Sequence, residues 1–92
     1  MTRISVHSNF APIKRKIDSV LLDEETSNLI SGLAAVEAAT KIKLVDADLG
    51  EVYPDITVTV NGVDSNFLPE MLATKLSDGD ILGISFITLG GG

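Results

Sequence analysis

The sequence predicts an α+β domain in which one main helix covers a mixed sheet of about four to five strands. Three observations carry this. Apolar and polar residues alternate with period two near both ends, over 3–10 and 81–86. A single stretch, 27–40, has helical periodicity. Between them, Ile56-Thr57-Val58-Thr59-Val60 is β-branched throughout and is followed by Asn61-Gly62. That dipeptide closes two-residue hairpins, because both turn positions tolerate positive φ.

In chain order, Ile4, Val6 and Phe10 share one face of the first strand with Ser8, and Arg3, Ser5, His7 and Asn9 share the other. The run 11–16, Ala-Pro-Ile-Lys-Arg-Lys, breaks the alternation and reads as a connection. A second strand is expected over 17–22, with its inward parity open between Ile17/Leu21 and Val20/Leu22. Thr26 or Ser27 then caps the helix expected over 27–40, with Asp23, Glu24 and Glu25 near its positive end. Leu29, Ile30, Leu33, Val36 and Thr40 recur at helical spacing and face the sheet. Gly32 inside that stretch marks close packing, since glycine there costs about 1 kcal/mol relative to alanine. A short third strand is expected over 42–45 and a turn over 46–50. Ile56, Val58 and Val60 point inward; 68–72 is a connection with room for a helical turn; Asp78-Gly79-Asp80 is a tight turn. In the last strand Leu82, Ile84 and Phe86 face one side, and Gly83 signals a close backbone approach.

Ninety-two residues, 45% of them hydrophobic, make one domain with enough apolar material for a core. Seven basic against thirteen acidic residues give a net charge of −6. That balance excludes a nucleic-acid binder, which needs clustered Lys and Arg, and suits a protein that docks on a basic partner. The chain has no cysteine, so disulfides, zinc–thiolate sites, iron–sulfur clusters and thiol nucleophiles are excluded. No apolar run approaches the ~20 residues of a membrane span and no signal-peptide stretch opens the chain, so a cytoplasmic protein without membrane contact is expected. One His, one Tyr and no Trp leave few catalytic side chains.

The last residues are Leu89-Gly90-Gly91-Gly92. Glycine loses more backbone entropy on ordering than any other residue, so a glycine end serves a fold badly. It suits a thin, flexible tail over 89–92 that leaves a domain of 1–88 and reaches ~13 Å into a partner's channel. A frayed end without a role is the other reading. Phe86 and Ile87, with Leu89, are either core or the apolar part of a docking surface that continues into Gly90.

Val60-Asn61-Gly62, the Leu76-Ser77-Asp78-Gly79-Asp80 turn and the Gly91-Gly92 end, in this order and in a chain of this length, resemble the β-grasp, ubiquitin-like sulfur carriers. These are the molybdopterin synthase small subunit, the thiamine sulfur carrier and their relatives. The resemblance covers the whole chain and implies a β-grasp fold and a carrier role, not an enzyme. The Gly92 carboxylate, next to Gly91, would be adenylated by an ATP-dependent adenylyltransferase of the ubiquitin-activating type. A cysteine-derived sulfur donor would then convert it to a thiocarboxylate for the large subunit of a sulfur-accepting synthase, with Phe86, Ile87, Leu89 and Gly90 touching the partners. No cofactor or metal would be bound; ATP is used by the partner. Val60 to Asp80 looks closest to the molybdopterin branch, with thiamine synthesis and tRNA thiolation as the other pathways. The alternatives are a modifier joined to target lysines, or an interaction module that is never activated. The chain departs from the family at Phe86, where many carriers have proline, and in the extra residue that leaves three glycines at the end.

Other candidates read as structure. His7 has no Cys, Asp or Glu at ligand spacing. The 46–57 stretch has Glu51 and Thr57 where a calcium loop needs glycine and glutamate. Lys14-Arg15-Lys16 is a solvated loop.

Overall fold

Strand β1, Thr2–Ser8, places Thr2, Ile4 and Val6 in the interior as its alternation requires. The structure is a computed structural model and describes residues 1–87, so the expected tail 89–92 and the boundary at 88 lie outside the described residues. β1 stops two residues short of Phe10, because Ser8 Oγ accepts the Phe10 N–H at 3.0 Å and turns the chain. Pro12 then opens a short helix α1, Ala11–Lys14, where the sequence suggested only a connection. Its Ile13 is fully buried. Strand β2 is Ser19–Leu22, shorter than 17–22, and the parity resolves in favour of Val20 and Leu22; Leu21 is exposed.

A 3₁₀ turn over Glu24–Thr26 precedes helix α2, Leu29–Thr40. The cap is Asn28, whose Oδ1 accepts the Ser31 N–H at 2.9 Å, and not Thr26 or Ser27. Ser27 is committed elsewhere. It is buried, its Oγ donates to the Leu76 carbonyl at 2.8 Å, and its own carbonyl accepts the Leu76 N–H at 2.9 Å. The acids at 23–25 therefore precede the helix, and its first turn carries none. Leu29, Leu33, Val36 and Thr40 are buried as expected, but Ile30 faces out. A Cβ on Gly32 would meet Leu76 Cδ1 at 3.2 Å and Leu82 Cδ2 at 3.5 Å, so the helix lies close on the sheet there. α2 ends at Lys41, a non-glycine residue at φ 63°. Glu37 Oε2 secures the exit by accepting the N–H groups of Leu44 and Val45 at 2.7 and 3.1 Å.

The strand expected over 42–45 is not part of the main sheet. Val45–Asp46 (β3) pairs with Glu51–Val52 (β4) in a separate two-stranded ribbon around the turn. Asp46 Oδ1 caps that turn by accepting the Asp48 N–H at 2.9 Å. β5, Ile56–Val60, and β6, Val63–Asp64, form the hairpin at Asn61-Gly62, with φ values of 51° and 87°. Two 3₁₀ turns, Ser65–Phe67 and Met71–Ala73, lead to the last strand, β7, Ile81–Phe86.

The main sheet has five strands in the order β2-β1-β7-β5-β6. β1 and β7 are parallel, and β7 and β5 antiparallel, so the sheet is mixed with the last strand at its centre. Ile4, Val6, Val58, Leu82 and Ile84 meet Leu29, Leu33 and Val36 of α2 in one core.

Candidate functional site

Only Phe86 and Ile87 of the expected site residues lie within the described chain; Leu89, Gly90, Gly91 and Gly92 lie outside it. The describable part of the site is therefore the place where β7 ends. Phe86 opposes Ile56 in the register. β1 has already ended, so the backbone of Phe86 lacks a strand partner on that side. Asn9 replaces it: its Oδ1 accepts the Phe86 N–H at 3.0 Å and its Nδ2 donates to the Phe86 carbonyl at 3.3 Å. A side-chain amide offers both a donor and an acceptor, so one asparagine can satisfy both backbone groups. The Phe86 ring lies against Phe10, with centroids 4.3 Å apart and planes tilted by 31°. The Ile87 N–H donates to the Asp55 carbonyl at 2.9 Å, which carries the ladder one residue past the strand.

Phe86 is half-buried and packs against the core, whereas Ile87 is 49% exposed. Asn9, Phe10 and Asp55 were not singled out from the sequence. Asn9 reads from the sequence as a polar-face residue of the first strand, and nothing local reveals a partner 77 residues away.

The Asp78-Gly79-Asp80 turn is as expected, with Gly79 at φ 92°. Its carboxylates are structural. Asp78 Oδ1 accepts the Arg3 N–H at 2.7 Å, and Asp80 accepts from Ser77 N–H at 2.8 Å and from Asn61 Nδ2 at 3.0 Å. Asn61 Oδ1 also accepts the Ile81 N–H at 2.9 Å, so the hairpin turn and the start of β7 are tied together. His7 is exposed on the polar face of β1. Among the described residues no three His, Cys, Asp or Glu side chains come together to hold a metal ion, and no helix is long and apolar enough to cross a membrane. The Asn9 amide, the Asp55 carbonyl and the Phe10 ring hold and aim the segment that leaves β7.

The same architecture recurs in several solved structures. The small archaeal modifier protein 1 of Methanosarcina acetivorans superimposes with a TM-score of 0.72 at 22% identity, covering 99% of this chain and 98% of that one. Urm1 of Trypanosoma brucei gives 0.68 at 26% identity, with 98% and 96% covered. CysO, seen in a BexX/CysO complex from Amycolatopsis orientalis, gives 0.67 at 23% identity, with 99% and 100% covered. No family model matches the chain, and no curated protein matches it by sequence. The fold expected from the sequence is thereby met: the chain has the β-grasp, ubiquitin-like fold.

Proposed function

We propose that the chain is a sulfur carrier whose Gly92 carboxylate is the working group. The observation that supports this most is where the glycine sequence sits. It follows the central strand of a β-grasp sheet, and the last residues of that strand are fixed by Asn9, Phe10 and Asp55. A rigid body that ends in a Gly-Gly sequence suits presentation of a carboxylate to another protein's active site.

A free α-carboxylate is anionic at neutral pH and unreactive toward nucleophiles. In the proposed sequence a ubiquitin-activating-type adenylyltransferase joins it to AMP, with pyrophosphate leaving from ATP. A sulfur nucleophile at the oxidation level of hydrosulfide, supplied by a cysteine-derived donor, attacks the acyl carbon. AMP departs, the sulfur proton is lost, and a thiocarboxylate remains. The large subunit of a sulfur-accepting synthase then receives the sulfur, so the chain is a co-substrate and not the catalyst. Molybdopterin synthesis is the favoured pathway, on the resemblance of 60–80 to that branch.

A second reading is supported by the likeness to a small archaeal modifier protein: the same adenylate would acylate a lysine amine of a target protein. Intact mass separates the two. With the adenylyltransferase, ATP and a sulfur donor, a carrier gains one oxygen-to-sulfur exchange, which is lost on deleting Gly91 and Gly92. A thermal melt of the deletion variant checks that it is folded. Ladders of conjugates in cell extract without that mass gain would favour the modifier. Neither product, with full function after the deletion, would leave an interaction module.

A further inference from the structure

A cleft of about 680 Å³ opens between the β3–β4 ribbon and the 65–73 segment, lined by Leu49, Val52, Tyr53, Ile56, Met71 and Leu72. Two of its apolar lining side chains are open to solvent, above a floor of buried Ile56 and Val58. Leu49 is 70% exposed and Met71 55%, and Phe67, next to the lining residue Asn66, is 81% exposed. Met71 also holds a left-handed backbone at φ 46°, a conformation that bulky side chains rarely adopt. Strain of this kind persists where the surroundings impose it, and it is enriched at binding sites.

The charges at the cleft have one sign. Glu51 and Glu70 line it, and no Lys, Arg or His does. Among the described residues the one ion pair joins the N-terminal ammonium to Glu24, so neither Glu51 nor Glu70 has a cationic partner there. An apolar cleft edged by unpaired carboxylates is complementary to a large apolar side chain flanked by cations. A second copy of the chain is disfavoured by its net charge of −6.

We propose that this cleft is a docking site for a protein partner's segment in which a large apolar residue is flanked by lysine or arginine. The cleft adjoins the end of β7: Pro54 and Ile56 line it, and the Asp55 carbonyl between them holds the Ile87 N–H. A partner that engages the C-terminal residues can therefore grip the cleft at the same time, although binding in the cleft needs no chemistry at Gly92.

The test is an NMR titration of the full chain at low salt with a capped hexapeptide, a Leu-Phe pair between two lysines on each side. Two control peptides replace the lysines by glutamates or the Leu-Phe pair by serines. The lysine peptide should shift the amides of Leu49, Tyr53 and Met71, and both controls should bind more weakly. The E51K/E70K double variant should bind the lysine peptide roughly tenfold more weakly and prefer the glutamate peptide, as expected for two exposed charge pairs. An unchanged spectrum away from the cleft shows that the variant is folded. Deleting Gly91 and Gly92 should leave binding intact, which separates this inference from the carrier reading. Equal binding of lysine and glutamate peptides, shifts confined to Asp23–Thr26, no shifts at all, or concentration-dependent self-association through Leu49 and Met71 would each overturn it.

Discussion

Gly83 shows how much a single missing Cβ can decide. It lies opposite Thr59 in the β5–β7 register, and a Cβ built on it would overlap Thr59 Oγ1. Alanine is normally the better strand residue, but the overlap reverses the sign. Gly83→Ala should cost about 1–3 kcal/mol in denaturant unfolding. Thr59→Ala in that background should recover most of the loss, giving a coupling of about 1 kcal/mol or more between two sites in contact. The close approach at Gly83 could be read from a glycine inside a strand pattern; its partner could not. Asn9 is the opposite case. Its side chain completes the ladder at Phe86, yet in the sequence it reads as a polar-face residue of the first strand, and a hydrogen bond across 77 residues leaves no local trace.

Among the elements, α2 offers a direct check of its cap. Asn28→Ala removes the acceptor of the Ser31 N–H and should lower stability by about 1 kcal/mol. Thr26→Ala, at an exposed position in the preceding 3₁₀ turn, should change it by less than about 0.5 kcal/mol. Thermal melts of the two variants compare them. Long elements with a clear period were legible: β1, β5, β7, the Asn61-Gly62 hairpin and the body of α2 all match their patterns. Misreadings cluster where tertiary bonds outrank local preference. Ser27 looked like a cap but bonds to Leu76 instead, and Glu37 reaches past the helix end to hold Leu44 and Val45. The stretch 42–45 looked like a strand, yet the backbone bonds that Glu37 accepts draw it to the end of α2, and its last residue pairs only within the ribbon. The cleft was invisible because its walls come from segments about twenty residues apart with no shared period.

For the whole molecule, the excess of anions is the main long-range force. With a net charge of −6 and one exposed ion pair among the described residues, repulsion between carboxylates opposes folding. The Debye length falls from about 30 Å at about 0.01 M salt to about 8 Å at about 0.15 M, so added sodium chloride should raise Tm by a few degrees. A Tm that falls over the same range would mean that attractive surface pairs dominate instead. The parallel pairing of β1 with β7 has a mechanical consequence. The first and last strands are neighbours running the same way, from Ser5↔Ile81 to Ser8↔Ile84, so tension applied between the two ends of the domain loads that seam in shear. Its hydrogen bonds must break together and not one after another. Pulled at its ends in an optical trap, the domain should rupture in a single high-force step.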